Sequence, residues 1–183
     1  MLLLSLLVLT VSSTTDDSHG LAPIETPAAL NREAPRFRFG ISSTAALAGY
    51  RGGGTGGLGL SLDIGVQLTE RSAFYSHTTL TTLLLASYAS EDVIVERSFD
   101  SLTIGLGFGV ADLVLYSNTQ LVVHVPLVIA FNPFCRSENE AVRQGFRISV
   151  EAAPALALNS GRGPDLDQNL GGTFGFSLGY VRR

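Results

Sequence analysis

Between Gly57 and Leu68 the chain alternates without a break. Leu58, Leu60, Leu62, Ile64, Val66 and Leu68 take the even positions, and Gly57, Gly59, Ser61, Asp63, Gly65 and Gln67 the odd ones. Neighbouring side chains of a strand point to opposite faces, whereas a helix would scatter these leucines around its circumference. The segment reads as a strand with one apolar face and one small or polar face.

The same period recurs along the chain. Arg36–Gly49 sets Phe37, Phe39, Ile41, Ala45 and Leu47 against Arg36, Arg38, Ser42 and Thr44. Leu102, Ile104, Leu106, Phe108 and Val110 alternate with Ser, Thr and Gly. Leu121 to Phe131 forms another odd-numbered apolar row with His124 opposite. Phe146, Ile148, Val150, Ala152, Leu156 and Leu158 oppose Arg147, Ser149 and Glu151, and Phe174, Phe176, Leu178 and Tyr180 oppose Thr173, Gly175, Ser177 and Gly179. Two weaker segments, Ala73–Ser87 and Asp92–Phe99, bring the reading to eight strands. Thr69–Ser72 and Asp100-Ser101 are read as tight turns. Tyr50–Gly57, Tyr116–Gln120 and Asn159–Gly172 are read as Gly- and Asn-rich loops. Asn132–Gly145 is read as a charged connection with room for a helical turn. Pro126 and Pro154 fall inside strands, where neither can donate to a ladder, so a bulge or a shifted register is expected there.

Composition decides what surrounds such a sheet. The chain is 45% hydrophobic and only 15% charged, against about 25% charged in soluble domains. Its mean hydropathy is +0.30, yet no run approaches the roughly 20 apolar residues of a membrane helix. Hydrophobicity is spread out by alternation, and the opposite face is mostly Gly, Ser and Thr with isolated charges. Small residues suit the crowded lumen of a narrow barrel, and an even strand number suits closure of a bacterial barrel. The fold expected is all-β: a closed, antiparallel, up-and-down, eight-stranded transmembrane β-barrel over 36–183. The alternative is a secreted, soluble, lipocalin-like barrel whose apolar rows turn inward around a hydrophobic ligand.

The front of the chain differs. Met1–Val11 is an apolar run followed by Ser12 and Ser13, the pattern of a signal peptide over 1–13, although no Lys or Arg precedes it. Residues 14–35 are polar, contain Pro23, Pro27 and Pro35, and read as a flexible linker.

The last strand, TFGFSLGY at Thr173–Tyr180, resembles the C-terminal insertion signal of outer-membrane barrels. Thr173, Gly175, Leu178 and Tyr180 occupy its polar, glycine, apolar and aromatic places. Val181, Arg182 and Arg183 follow the aromatic at which such signals usually stop, and they read as no more than the end of the ladder. From Arg36 to Tyr180 the chain is similar in pattern to small eight-stranded bacterial outer-membrane β-barrel proteins. That resemblance implies location in the outer membrane, contact with the lipid bilayer and lipopolysaccharide, and insertion by the barrel-assembly machinery.

Chemistry is sparse. The non-apolar faces suggest a polar network inside the lumen from Arg38, Asp63, Gln67, His124, Arg147 and Glu151. His77 and His124 read as hydrogen-bonding residues of that interior. Barrel enzymes that remove acyl chains from lipid A pair a His with a Ser two residues on, and here Thr79 stands in that place after His77 and Pro126 after His124. Gly52–Gly59 has glycines but neither the Lys-Ser/Thr pair nor the helix of a phosphate loop. Asp165 and Asp167 lack the Gly and Glu of a calcium loop. Cys135, the single cysteine, reads as a loop thiol. A net charge of −4 carries no basic footprint for nucleic acid. The expectation is a non-enzymatic protein without cofactor, serving envelope structure or surface interaction.

Overall fold

A computed structural model of the chain describes residues 35–50, 53–83, 86–115, 118–133, 136–139, 142–158 and 170–183. The elements are β1 (Arg36–Tyr50), β2 (Gly53–Gln67), β3 (Ser72–Leu83), β4 (Ala86–Phe99), β5 (Leu102–Leu115), β6 (Asn118–His124), β7 (Leu127–Phe131), β8 (Arg136–Asn139), β9 (Val142–Ala157) and β10 (Leu170–Arg182). Every pairing is antiparallel. Each strand from β1 to β5 pairs with the next, β5 pairs with β6 and β7, both of these pair with β9, and β9 pairs with β10. Pairing of β10 with β1, from Phe39↔Arg182 to Tyr50↔Gly171, closes the sheet on itself. Because β6 and β7 share one stave and β8 only extends the edge of β9, the closed barrel has eight staves.

The pleat sorts the sequence as its alternation requires. Phe37 is 67% exposed while Arg38 is fully buried, and Leu58 is 72% exposed above a buried Ser61. Leu60, Leu80, Leu106, Phe108, Ile129 and Phe174 are likewise exposed, on five different staves. Most large apolar side chains face out, and Arg38, Asp63, Asp92, Glu96, His124 and Arg147 lie buried inside, the inverse of a water-soluble barrel. The lipocalin-like alternative, which needs the apolar rows inward, is ruled out.

Several boundaries differ from those read in the sequence. Gly53–Gly57 is not loop: it extends β2 in register with β1, Tyr50 opposite Gly53. These residues lie toward the end of a long hairpin, where no buried apolar face is needed and hydropathy gives no strand signal. Ala73–Ser87 is two strands, because β4 already begins at Ala86. Asn118–Gln120 belongs to β6. Where a helical turn was expected, Arg136–Asn139 is a strand paired with the start of β9, and the described residues contain no helix.

Neither proline causes a bulge or a shift. His124 pairs with Ala155 and Leu127 with Ala152, so the register runs through the gap unchanged. Val125 N donates to Pro154 O at 3.1 Å, and Gly107 N donates to Pro126 O at 2.9 Å. The prolines therefore serve as acceptors, and the ladder only skips the bonds they cannot donate. The two short turns also have their own chemistry. Gln67 Nε2 donates to Thr69 O and Ser72 O at 2.7 and 3.1 Å, while Thr69 Oγ1 accepts from Ser72 N at 3.0 Å. Asp100 opens the β4–β5 turn with φ of 53°, a left-handed conformation that Asp tolerates better than most residues. The proposed signal peptide, nearly all of the linker, Cys135, Asp165 and Asp167 lie outside the described residues.

Candidate functional site

The lumen is filled in three layers. At the end near the short turns, Glu96 on β4 gathers cations from around the barrel. Arg38 on β1 donates to it twice, Nη1 to Oε1 at 2.5 Å and Nη2 to Oε2 at 2.8 Å. Arg147 Nη2 on β9 lies 2.9 Å from Oε2, and the Tyr75 hydroxyl on β3 donates to the same oxygen at 2.9 Å. Tyr75 also lies under the Arg38 guanidinium, 4.1 Å from ring centre to Cζ, a distance at which ring and cation attract. Arg38 is fully buried and Glu96 is 1% exposed. Buried charges are tolerable only when paired and hydrogen-bonded; here each charge is paired across four staves, while Arg38 Nε and Arg147 Nη1 have no hydrogen-bond partner among the described residues. Ile94, Val128 and Ala73 pack beside Tyr75 and close the remaining space.

Above it runs a belt of acids and histidines in direct register. Asp63 on β2 is opposite His77 on β3, and His77 is opposite Asp92 on β4. Next comes Gly109 on β5, and beyond it His124 on β6. His77 Nδ1 meets Asp63 Oδ1 at 2.5 Å, and its Nε2 lies 3.6 Å from Glu151 Oε2. Asp92 reaches past Gly109 to hydrogen-bond His124 Nε2. A Cβ on Gly109 would collide with that carboxylate, so this glycine makes the Asp92–His124 contact sterically possible. The Tyr88 hydroxyl lies 3.1 Å from His124 Nδ1, and Ser90 Oγ donates to Asp92 Oδ2 at 3.2 Å. A hydroxyl chain continues the belt: Ser177 to Thr44 at 2.8 Å, Thr44 to Ser61 at 2.6 Å, Ser61 to Thr79 at 2.9 Å, and Thr79 to His77 Nε2 at 2.9 Å.

The third layer, at the opposite end near 84–85 and 116–117, is apolar: Tyr88, Ala111, Leu113, Val122, Ala155 and Ala157 form one buried cluster. A cavity of about 20 Å³ lies beside Asp63, His77, Arg147, Glu151 and Ser177, room for about one water molecule. Thr79, His77 and Asp63 stand in hydroxyl–imidazole–carboxylate order. Thr79 is buried and hydrogen-bonded to both Ser61 and His77.

The residues expected to line the lumen are therefore placed as follows. Arg38 and Arg147 converge on Glu96, and Arg38 Nη2 is 3.9 Å from Asp63. Glu151 and Asp63 flank His77 on opposite ring nitrogens. His124 is bound to Asp92. Gln67 stands apart, tied to the β2–β3 turn. In β10, Thr173 is buried in the lumen and Gly175 lies on the same face, while Leu178 and Tyr180 are exposed outside. Tyr180 OH donates to Gln144 at 2.8 Å.

Sequence reasoning missed Glu96, Asp92, Tyr75 and Arg183. The first two alternate with Val93 and Val95, a signal that an eye for apolar rows alone passes over. Arg183 corrects the reading of the last residues as mere ladder end. Val181 is fully buried, and Arg183 Nη1 donates to Ser98 Oγ at 2.7 Å and lies 3.9 Å from Glu96 Oε1.

No protein-family model matches the chain, and no curated protein matches it. Among solved structures it is similar to Neisserial surface protein A, at 14% identity and a TM-score of 0.49 over 82% of this chain and 98% of that one. It is also similar to Ail, the attachment invasion locus protein of Yersinia pestis, at 13% identity, a TM-score of 0.41, and 81% and 99% coverage. Ail in complex with the heparin analogue sucrose octasulfate gives 13% identity and a TM-score of 0.43 over 79% of this chain and 97% of that one. The architecture stands on the chain's own geometry. An antiparallel sheet closed by β10 on β1, apolar outside and polar within, is a transmembrane β-barrel of the bacterial outer-membrane type.

Proposed function

We propose that the protein is a non-enzymatic outer-membrane barrel with a plugged lumen, serving envelope structure or surface interaction through its loops or its presence. The observation that carries this reading is the Glu96 cluster, in which Arg38, Tyr75 and Arg147 meet one buried carboxylate across the lumen. Such a plug leaves no aqueous path past it, and it stiffens the end of the barrel opposite the connections at 51–52, 84–85, 116–117 and 159–169. The longest gap between consecutive strands, 158–169, lies at that end, and longer connections of such barrels lie outside, so in this reading that end faces the cell surface. Binding at that end is thereby separated from the packed interior.

Residues 1–13 act as the export signal in this proposal and 14–35 as the linker. Thr173, Gly175, Leu178 and Tyr180 present the last strand to the barrel-assembly machinery, and the exposed apolar rows meet lipid and lipopolysaccharide. The test is fractionation of the envelope with heat-modifiable gel migration, followed by planar-bilayer recording of the purified protein. The proposal expects folded protein in the outer membrane and no steady conductance. A stable open conductance, or soluble protein monodisperse without detergent, would contradict it.

A further inference from the structure

Six staves turn mostly apolar side chains to lipid, while the face formed by β3 and β4 mixes polar ones among them. Its outward positions include Ser76 and Thr78 on β3, and Ser87, Ala89 and Glu91 on β4. Glu91 and Thr78 are directly opposite in the ladder, and both are exposed. Glu91 lies inside the apolar band: Val93 and Val95 follow it on β4, and Val110 is its partner on β5, with Phe108 beside it. Among the described residues Glu91 and Thr78 have no hydrogen-bond or ion-pair partner. An ionisable side chain facing hydrocarbon alone is costly, and such residues usually mark a contact or a pathway.

We propose that the outer face of β3 and β4 binds a second copy of this chain in the membrane, with Glu91 of each copy accepting a hydrogen bond from Thr78 of the other. Two copies inserted in the same direction are related by a two-fold axis along the membrane normal, which sets the same face against itself at the same depth. A donor and an acceptor one strand apart are self-complementary under that operation, and no cation is required. Ser76 and Ala89 flank the pair, each beside a larger exposed partner, Val93 and Leu80, that would pack against the other copy. Asp112 on β5, opposite Ala89, is a second exposed acid at the edge of this face. Among the described residues the arginines on the outward strand faces, Arg97 and Arg182, lie toward the end of the β4–β5 turn and cannot serve Glu91 of a parallel copy.

The inference rests on the outward face meeting lipid, and its test separates the two. In a Cys135→Ser background, Ala89→Cys is placed on the proposed face and Ile129→Cys outside it on β7, which β5 separates from β4. Each protein is reconstituted in phosphatidylcholine vesicles and oxidised, with heat-modifiable migration checking that it has folded. The proposal expects a disulfide dimer from Ala89→Cys and none from Ile129→Cys. Adding Glu91→Ala or Thr78→Val should lower the dimer yield about tenfold, while Glu91→Gln, which keeps an acceptor oxygen, should retain most of it. A folded Ala89→Cys protein that stays monomeric would overturn the dimer and leave the barrel in lipid untouched. Equal cross-linking at both sites would overturn it too. So would a product in intact envelopes whose mass is not that of two chains, which would point to a different partner carrying the donor.

Discussion

Arg38 and Glu96 face each other across the lumen, guanidinium to carboxylate at 2.5 and 2.8 Å, although their strands are not neighbours in the sheet. A contact of this kind forms only once the barrel has closed, so it reports on closure as much as on local stability. Replacing Glu96 by Ala strands Arg38 and Arg147 in the interior. Breaking a buried pair from one side costs about 3–5 kcal/mol, and denaturant unfolding in detergent micelles should show a loss of that size. Glu96→Gln should lose less, because the amide still accepts from one arginine. A loss under about 1 kcal/mol, the scale of exposed pairs, would mean the cluster does not hold the lumen.

Gly109 tests the belt of acids and histidines. Gly109→Ala drives a methyl group into the Asp92 carboxylate that reaches His124, and overpacking of this kind costs about 1–3 kcal/mol. Gly49→Ala is the control, since a Cβ there meets nothing within 4 Å. Unfolding midpoints should fall for the first variant and hold for the second. Equal behaviour would place Asp92 and His124 apart.

Arg183 should matter where a simple ladder end would not. Its guanidinium donates to Ser98 beside Glu96, and a hydrogen bond from a charged group is worth about 1.5–3 kcal/mol. Arg183→Ala should lower the unfolding midpoint while leaving insertion intact. Leu178→Ser with Tyr180→Ser should instead abolish heat-modifiable protein in the outer-membrane fraction, because both side chains belong to the outward row of the closing strand. Normal assembly of the double variant would sink the role proposed for that strand.

How much of this was legible in the sequence depended on which pressure shaped each residue. Alternation revealed β2, β5 and β10 because lipid demands apolar side chains on one face of every strand in the bilayer. The strand β4 was harder, since it turns Glu91 and Arg97 outward and Ile94 inward, which blurs the period. Gly53–Gly57 escaped notice because pairing there has no apolar face to announce it. Inside the lumen, Arg38 and Arg147 could be assigned to a face but not to a partner. Pairing across a barrel depends on closure register, which no short window of sequence encodes. Glu96 was lost for that reason, and Gln67 was drawn into the network when its partners are in its own turn.

Leu106→Arg should hinder folding into bilayers. The side chain is exposed on the outward row of β5, with Ile104 and Phe108 on either side of it, and Arg on the lipid face near the midplane costs about 2–4 kcal/mol. Folding yield into phosphatidylcholine vesicles should fall sharply, while folding in micelles with mobile headgroups should suffer less. Undiminished folding in both would argue against lipid contact at that position.

The orientation of β2 tests the central claim most directly. Spin labels at Leu58, Leu60 and Ile64, and separately at Ser61 and Asp63, can be challenged in bilayers with oxygen and with a water-soluble nickel chelate. The structure predicts that the three apolar positions are open to oxygen and shielded from nickel, as lipid contact requires. It also predicts that Ser61 and Asp63 are protected from both reagents, as a packed lumen requires. Nickel reaching Ser61 and Asp63 freely would mean an open aqueous pore. Labels at Leu58 and Leu60 buried away from oxygen would mean the barrel is inside out, and the membrane reading would fall.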